Sequence, residues 1–571
     1  MKLYWQILKR YKKFIILSPL LVLGFVFCET AQPTLMASII DEGVMKKDMD
    51  TIIHIGIIMI SLSVVAIGLS IANVYCASKT AIGFSTDLRK KMFSKIQTFS
   101  FADIDTFSTA SLITRMTNDT TVLQQIVMRT MLILYRAPMM MVIALFYVIS
   151  MNTKMAAFLG IALPVLGICI FLVVRKGYPV FTQVQQKLDK LNEIVRENLI
   201  GIRVVKSFVR EDLEKKKFNK SNEEYRDSYI KALDILVLVF PAMQLIMNST
   251  VVFILWSGGI SGLQIGSLIS LVNYSMQILM ALMLVSMTFV MLARAAASSK
   301  RVLEVMKTEP SITNTPESLQ DIHKILKGDI TFKNVFFKYN PESENYVLKD
   351  INFHIDSGET IAVVGATGSA KSTLLQLIPR LYDVNNGEIL IDDINIKSYS
   401  LNELRESIGV VLQNNTLFSG TILANIKWGN PGATIEEIEE AAKIAEAHDF
   451  ITSFSKSYDT IVGQSGVNLS GGQKQRICIA RALLKKPKIL ILDNSTSAVD
   501  TDTEKKIKEN FAKLLGETTV ILVTQRFSSM QNSDKVIVLE DGMIESMGTP
   551  SELLEKSKIY QEIANSQKLI L

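Results

Sequence analysis

Residues 360–373 read TIAVVGATGSAKST, which is an apolar strand-like run, a loop of small residues and the start of a helix. Gly365 and Gly368 leave room for backbone N–H groups to curl around phosphate oxygens, and the helix start that follows adds oriented donors. In this pattern Lys371 reaches the β- and γ-phosphates and Ser372 binds Mg²⁺. An ordinary turn between strand and helix looks similar, but the motifs downstream favour a phosphate loop.

One position of this loop departs from the pattern. Ala370 stands directly before the lysine, where glycine is expected. A methyl group there restricts the backbone or narrows the approach to phosphate. The neighbouring hydroxyl residues Ser369 and Thr373 are also expected to lie at the nucleotide.

The residues around this loop predict an α/β domain. Beyond residue 328, apolar strand-like runs alternate with helical patterns, namely TIAVVG, GVVLQ, KILILD, TTVILVT and KVIVLE. Short, continuous apolar runs indicate strands that are buried on both faces, and hence a largely parallel sheet covered by helices. The domain is predicted to span residues 329–571, after a polar, turn-rich linker at 311–328.

Residues 1–310 have a different composition and predict a membrane domain. The chain of 571 residues is 49% hydrophobic and 20% charged, with a mean hydropathy of +0.28. A helix needs about 20 apolar residues to cross the hydrocarbon core. We predict six spans, at about 14–40, 51–76, 131–150, 155–174, 232–257 and 266–294.

Charge and helix patterns give an orientation. The long segments 77–125 and 175–230 are helical in composition and rich in Lys and Arg, whereas the alternate connections are short. The positive-inside rule therefore places both termini and these segments in the cytoplasm of a plasma-membrane protein. The net charge of +6 fits loops at an anionic membrane surface, and no nucleic-acid partner is expected. Four scattered cysteines indicate neither a zinc site nor a disulfide framework.

Residues 469–493, LSGGQKQRICIARALLKKPKILILD, combine a glycine-rich helix start with a buried strand that ends in aspartate. With the upstream phosphate loop, this chain resembles ATP-binding cassette (ABC) transporters, and specifically the exporter type with six spans per half. The resemblance implies a type IV exporter fold, ATP and Mg²⁺ as cofactors, and a head-to-tail dimer. In that dimer Ser470, Gly471, Gly472 and Gln473 contact the ATP held by the partner.

The resemblance implies further roles. Tyr339 matches the aromatic that stacks on adenine, and Gln413 the glutamine that senses Mg²⁺ and the γ-phosphate. Asp493 would bind Mg²⁺ through water, and Asp500 matches the aspartate that crosses the dimer. Residues 101–120 and 197–212 resemble the coupling helices that dock on nucleotide-binding domains; a generic helical hairpin end has the same pattern.

Three further departures affect ATP hydrolysis. Asn494 stands where the family has its catalytic glutamate, and an amide cannot take a proton from water. Gln525 stands where a switch histidine is usual, and Gln464 where a glutamate is frequent. Because the LSGGQ segment is intact, the pattern resembles the degenerate half of heterodimeric bacterial multidrug exporters, which pair with a catalytically competent half.

The cargo is expected to be a hydrophobic or amphiphilic compound, such as a drug. Alternatives are a lipid flippase, a peptide exporter or a nucleotide-gated regulatory subunit. Glu29, in the first span, either binds a cationic cargo group or is hydrogen-bonded structurally, and Arg136 poses the same choice. A methionine stripe that includes Met280, flanked by Asn273 and Gln277, lines a cargo surface or packs against other helices.

Overall fold

The computed structural model describes residues 2–237, 239–314, 323–495, 497–514, 516–524 and 526–568. The chain forms two compact units, one from Met1–Gln97 and Ala110–Thr308, and the other from Thr98–Thr109 and Glu309–Leu571. We call them the membrane unit and the nucleotide unit. Residues 98–109 of the nucleotide unit overlap the segment 101–120, whose resemblance to coupling helices implies docking on a nucleotide-binding domain.

The described part of the membrane unit is helical, as its long apolar runs predict. In chain order up to residue 307 the helices are α1 (Lys2–Leu8), α2 (Lys12–Ser38), α3 (Met49–Ile96), α4 (Phe101–Phe107, in the nucleotide unit), α5 (Thr109–Thr114), α6 (Thr120–Arg129), α7 (Arg136–Met151), α8 (Thr153–Ile200), α9 (Ile202–Ser207), α10 (Glu211–Val237), α11 (Val239–Ile260) and α12 (Ile265–Lys307).

Short π-helical segments follow or join several of these helices, at Ile39–Val44, Arg115–Asp119 and Thr130–Leu134.

Side chains cap the first turns of two of these helices, α3 and α4. Asp48 accepts hydrogen bonds from the backbone of Asp50 and Thr51 at the start of α3. At α4, Ser100 and Asp103 form a reciprocal capping box.

Within the described residues, four stretches are long and apolar enough to cross a membrane: Lys2–Val44, Met49–Ile96, Thr109–Met151 and Ile265–Val285. The predicted spans at 155–174 and 232–257 fall in α8, α10 and α11, where many side chains lie outside the description; a shorter apolar stretch there is Gln244–Ile260. The long segments that the charge pattern assigns to the cytoplasm are helical as predicted, since α3 and α8 each continue for 48 residues.

Buried polar contacts join the membrane helices. Tyr274 of α12 is fully buried, donates a 2.6 Å hydrogen bond to the Thr30 carbonyl of α2, and lies 2.6 Å from the Thr34 hydroxyl. Its ring stacks on Tyr147 of α7 with centroids 5.2 Å apart. Helices α2, α7 and α12 therefore share one packed core.

The described part of the nucleotide unit contains twelve strands. They are β1 (Ile330–Phe337), β2 (Leu348–Ile355), β3 (Thr360–Val364), β4 (Asn386–Ile391), β5 (Ile394–Asn395), β6 (Ile408–Val411), β7 (Gly420–Thr421), β8 (Ile461–Val462), β9 (Ile489–Asp493), β10 (Thr519–Val523), β11 (Lys535–Glu540) and β12 (Met543–Gly548).

The main sheet has the order β12-β11-β3-β10-β9-β6 and is parallel except for the β11–β12 pair. All five predicted strands lie in it. A second, antiparallel sheet has the order β2-β1-β4-β5.

Besides α4, the described part of this unit contains ten α-helices: α13 (Lys371–Leu377), α14 (Leu401–Glu406), α15 (Ile422–Lys427), α16 (Ile435–Ile444), α17 (His448–Ser453), α18 (Gly471–Leu483), α19 (Thr501–Leu514), α20 (Phe527–Gln531), α21 (Pro550–Lys556) and α22 (Lys558–Lys568).

Candidate nucleotide site

The candidate residues follow four neighbouring parallel strands. The phosphate loop follows β3, Thr524 follows β10, Asp493 ends β9 with Asn494 after it, and Gln413 follows β6. Carboxyl ends of parallel strands meet at one edge of a sheet, and ligands of open α/β sheets bind at that edge. The topology therefore brings these segments to one edge, in the order of their strands.

The two glycines of the phosphate loop have backbones that other residues rarely adopt. Gly365 has φ +149°, and a Cβ built there would lie 2.2 Å from the Leu539 carbonyl oxygen, so only glycine fits. Gly368 has φ +91° and is exposed, and a Cβ built there would meet no described atom within 4 Å. Space therefore requires glycine at 365, whereas at Gly368 the backbone conformation alone requires it. The open surface at Gly368 leaves room for the phosphate that the sequence pattern predicts there.

Ala370 also has an unusual backbone. Its φ of +71° and ψ of +22° lie in the left-handed region. An alanine in this region is strained by about 1–2 kcal/mol. The backbone restriction that the sequence predicts at Ala370 therefore corresponds to a strained, left-handed conformation.

Lys371 is buried and folds back over the loop. Its Nζ donates to the carbonyl oxygens of Gly365 and Ala366, at 2.9 and 2.7 Å, and to the Ser369 hydroxyl at 3.2 Å. Burial lowers the pKa of Lys371, and the nearby charge of Asp493 partly opposes this. The ammonium group lies within the loop that would surround the phosphates.

Asp493, at the end of β9, fits a role in binding hydrated Mg²⁺. Its Oδ1 is buried and has no hydrogen-bond partner among the described residues. Ser372 and Asp493 both line a cavity of about 10 Å³, close to the volume that one water molecule needs. Burial raises the pKa of Asp493, while Ser372 and Lys371 oppose the rise. A divalent cation with its water would satisfy this oxygen, so these residues fit Mg²⁺.

Asn494 also has a left-handed backbone, with φ +48°. Asparagine adopts this region more readily than most residues, so its side chain suits its conformation. Its N–H donates to the Val523 carbonyl at 3.1 Å and ties the end of β9 to β10. The structure thus places an amide at the strand end where the sequence comparison expects a base.

The LSGGQ residues form the start of α18. Ser470 and Gln473 form a capping box, in which Gln473 N–H donates to Ser470 Oγ at 3.3 Å and Ser470 N–H donates to Gln473 Oε1 at 3.0 Å. Ser470 and Gly471 are exposed. A Cβ at Gly472 would lie 2.7 Å from the Ala498 carbonyl oxygen, so glycine allows residues 497–500 to approach. This segment is presented on the surface of the unit.

Three other residues predicted for the site make no described hydrogen bond to the phosphate loop or to Asp493. Gln413 is exposed, and among the described residues its side chain makes no hydrogen bond. Asp500 caps α19 by accepting a 2.9 Å hydrogen bond from Thr503 N–H, which holds the pKa of Asp500 below its usual range. Gln464 lies in an exposed turn. Gln525 lies outside the described residues.

Tyr339 is half-exposed, and its ring is available for stacking. Its hydroxyl lies 2.9 Å from the Thr373 hydroxyl, and its ring meets the Tyr382 ring edge-on at 5.2 Å. Tyr382 is buried and donates a 2.7 Å hydrogen bond to Asp105, next to Phe101 of α4. Burial and the Asp105 carboxylate raise the pKa of Tyr382. The aromatic position therefore connects to the predicted coupling segment.

Sequence reasoning missed Tyr382 and a second cluster around Glu504. Arg526 forms an ion pair with the buried Glu504 carboxylate and donates to the Val499 carbonyl at 2.9 Å. Lys508 and Ser529 also bind Glu504. The residue after position 525 is thereby anchored to the start of α19. No sequence signal reveals Glu504, because it lies in a helix with many exposed charges.

The candidate cargo residues fall into two groups. Glu29 and Arg136 form an ion pair with an N–O distance of 2.6 Å, so each is the other's partner. In α12, Asn273 is exposed and bonds the Ile269 carbonyl, while Gln277 Oε1 is buried and unpaired within the described residues. Met280 is 46% exposed, whereas Met283 packs against the buried Leu279 side chain. The methionine stripe thus contributes both to packing and to an open surface.

Comparisons with known proteins agree with this architecture. The family model for the ABC transporter transmembrane region matches residues 15–282, and the ABC transporter model matches residues 348–497. The uncharacterized ABC transporter ATP-binding protein YfiB of Bacillus subtilis is 39% identical, over 98% of this chain and 97% of its own. The putative multidrug export ATP-binding/permease protein YgaD of the same organism is 33% identical, over 100% and 99%.

A solved structure matches over nearly the whole chain. The structure of a bacterial Atm1-family ABC exporter with ATP bound has a TM-score of 0.83 and 23% identity, and the match covers 97% of this chain and 99% of that one. Together with the family matches, it confirms the predicted fold class, an α-helical membrane domain of type IV with an α/β nucleotide-binding domain.

Proposed function

Because this chain belongs to the ABC transporter family and is an integral membrane protein with an ABC ATPase domain, we propose that it is one half of a heterodimeric exporter. It moves hydrophobic or amphiphilic compounds out of the cell by using ATP and Mg²⁺. Its own ATP site hydrolyses slowly, and its LSGGQ segment completes the site of a catalytically competent partner. The observation that carries this proposal is the contrast between Asn494 and the well-ordered LSGGQ helix start.

The chain's own site is poorly equipped for hydrolysis. A base has to take a proton from the attacking water or orient it, and general-base catalysis contributes about 10²–10⁴-fold. The Asn494 amide has no basic oxygen at neutral pH. The strained Ala370 backbone adds a cost to holding phosphate. These residues support nucleotide binding with slow turnover.

The LSGGQ segment is arranged to act on another chain. The capping box fixes the backbone of Ser470 and Gly471 at the exposed start of a 13-residue helix. N–H groups at such an end favour an anion, and two adjacent glycines permit close approach to a γ-phosphate. Exposure supports contact with nucleotide on a partner.

Export from the cytoplasm follows from the proposed orientation. The basic segments between the second and third spans and between the fourth and fifth spans support a cytoplasmic position for both termini and the nucleotide unit. The name of YgaD includes multidrug export, which supports a drug-like cargo here. Closure of the two nucleotide domains would be passed to the spans through the coupling segments.

The test uses two variants of this chain in the complex with its partner half, co-purified through a tag on this chain. Ser470→Arg should abolish the ATPase activity of the complex, because it blocks the lid over the partner's ATP. Lys371→Met should leave most of that activity, because it affects only the slow site. ATP-driven accumulation of a fluorescent drug in inverted vesicles measures transport in parallel.

Two results would contradict the proposal. In the first, the purified chain alone hydrolyses ATP as fast as the complex. In the second, Lys371→Met abolishes activity while Ser470→Arg does not, which would assign catalysis to this chain's own site. Hydrolysis without vesicle uptake would instead favour a regulatory subunit.

A further inference from the structure

The ion pair between Glu29 of α2 and Arg136 of α7 lies within the membrane spans. Arg136 Nη2 donates to both carboxylate oxygens of Glu29, at 2.6 and 2.9 Å. Its guanidinium carbon lies 4.7 Å from the centroid of the Phe25 ring. Charges in a bilayer are costly, and where they occur they usually face the bundle interior or water.

Both side chains point away from the outward-facing sides of their helices. In α2, the exposed stripe contains Ile16, Leu20, Leu23 and Phe27 at spacings of three and four. Glu29 is two residues beyond Phe27, which at 3.6 residues per turn places it about 200° around the helix. The exposed 31% of the Glu29 side chain therefore lies on the face of α2 opposite this stripe, where Met36 is also exposed.

Arg136 is placed in the same way. The exposed large hydrophobic residues of α7 are Val142, Phe146 and Ile149, and Arg136 lies about 120° around the helix from Val142. Its side chain is 38% exposed. One residue, Tyr135, separates Arg136 from the π-helical segment Thr130–Leu134, and Tyr135 N–H bonds the Thr130 carbonyl at 3.2 Å. Such π-bulges occur frequently at functional sites.

The hydrogen bonding of the pair is incomplete. A structural Arg–carboxylate pair gains most from two parallel N–H···O bonds made by two nitrogens. Here a single nitrogen, Nη2, serves both oxygens of Glu29, and Nε is buried without a partner among the described residues. A buried donor without a partner is unfavourable and calls for an explanation. The pair therefore retains capacity to bind a third group.

We propose that Glu29 and Arg136 form a cargo site for the headgroup of a zwitterionic amphiphile. The pair has no net charge, so a purely cationic ligand that takes Glu29 leaves Arg136 uncompensated in a low-dielectric region, and an anionic ligand has the converse effect. A ligand with both charges compensates both side chains. The guanidinium matches phosphate or carboxylate, and Glu29 matches an amine or a quaternary ammonium.

This inference rests on the proposed function only in taking the membrane unit as the part that binds cargo. It is therefore tested without ATP and without the partner. The full-length chain in nanodiscs is titrated with three surfactants that share a dodecyl tail: a phosphocholine, a trimethylammonium and a phosphate, each below its micelle concentration. Quenching of tryptophan fluorescence or microscale thermophoresis reports binding. A fluorescent diacyl phosphocholine distinguishes a membrane lipid from a single-chain foreign amphiphile.

The wild-type chain should bind the phosphocholine about tenfold more tightly than either singly charged surfactant. Glu29→Gln should shift the preference towards the phosphate, and Arg136→Gln towards the trimethylammonium. The double variant Glu29→Arg with Arg136→Glu exchanges the two charges, keeps the pair neutral and should keep the preference for phosphocholine. It replaces the single variants in the test if either of them is unstable. Ser61→Ala, an exposed change on α3 where the hydroxyl bonds only the Ile57 carbonyl of its own helix, is the control and should keep the wild-type order.

The inference is overturned if the wild-type chain binds the three surfactants equally, or if both single variants keep the wild-type order. Opposite shifts in the two variants support it even if the chain later proves to hydrolyse ATP alone. In that case the heterodimer proposal fails while the cargo site remains.

Discussion

Replacing Ala370 by glycine tests whether the phosphate loop is held back by its own backbone. The left-handed conformation at φ +71° costs an alanine about 1–2 kcal/mol, whereas glycine adopts it freely. The Ala370 methyl is partly buried against the core of the unit, and its removal costs about 0.4 kcal/mol, half the value of a fully buried group. About 1 kcal/mol therefore remains in favour of the loop conformation that surrounds phosphate.

This energy corresponds to at most about fivefold tighter ATP binding, since 1.4 kcal/mol gives a factor of ten and the gain is realised to the extent that ATP selects this loop conformation from others of the free chain. The assay is equilibrium binding of a fluorescent ATP analogue to the full-length chain in nanodiscs with Mg²⁺. Ala366→Gly is the matched control, because Ala366 lies in the same loop but is not among the residues with positive φ. It removes the same methyl without relieving strain, and it should not tighten binding.

The reasoning is refuted if Ala370→Gly and Ala366→Gly bind ATP equally well, or if Ala370→Gly binds more weakly than the wild-type chain. Either result would mean that the left-handed backbone at residue 370 does not limit the phosphate loop.

Three further predictions concern the nucleotide unit. Asn494→Glu should raise ATP hydrolysis by the chain alone about tenfold, which is less than the full effect of a base because Gln525 is unchanged. It should also lower the stability of the chain by about 0.5–1 kcal/mol, because glutamate suits the backbone at φ +48° less well than asparagine does. An unchanged rate of phosphate release would argue against a missing base. Burial raises the pKa of Glu504, but Ser529 and two cations bring it below its usual range, so its stabilisation is present above about pH 4.3 and lost as the pH falls through the folded-state pKa. Glu504→Gln should cost about 3 kcal/mol in thermal unfolding at pH 7 and flatten this acid dependence. Tyr382→Phe should leave ATP affinity within about twofold but reduce vesicle uptake several-fold, because the charge-assisted hydrogen bond to Asp105, of about 1.5–3 kcal/mol, is lost. Unchanged uptake would show that Tyr382 has no role in coupling.

Much of the main sheet could be predicted from the sequence. Five of its six strands are short apolar runs that are mostly buried, and this pattern has few other interpretations. The antiparallel sheet was not predicted, because strands such as ITFKNVFF alternate buried and exposed residues and contain an irregular register between Phe332 and Val335. The end of the predicted linker is also structured, since Asp392 accepts hydrogen bonds from the backbone of residues 326–329.

The site shows the same division. Motif spacing locates Lys371 and Asp493, because a short local sequence must follow a specific strand. Pairings across long separations, such as Glu29 with Arg136 or Tyr382 with Asp105, depend on which helices become neighbours, and spacing carries no information on that. The left-handed backbone at Ala370 is an intermediate case, since the motif identifies the position and only the structure gives its dihedral angles.

Residues 98–109 have a consequence for how the nucleotide unit can be isolated. Ala102 packs against the core of that unit, and Asp103 accepts a hydrogen bond from Ser311 N–H. A fragment cut at the linker and expressed from residue 309 would lack this piece of its own fold, and Tyr382 would lose its carboxylate partner. Enzymology on such a truncated fragment would describe an incomplete protein, whereas a fragment with residues 98–109 supplied as a peptide would restore the missing contacts.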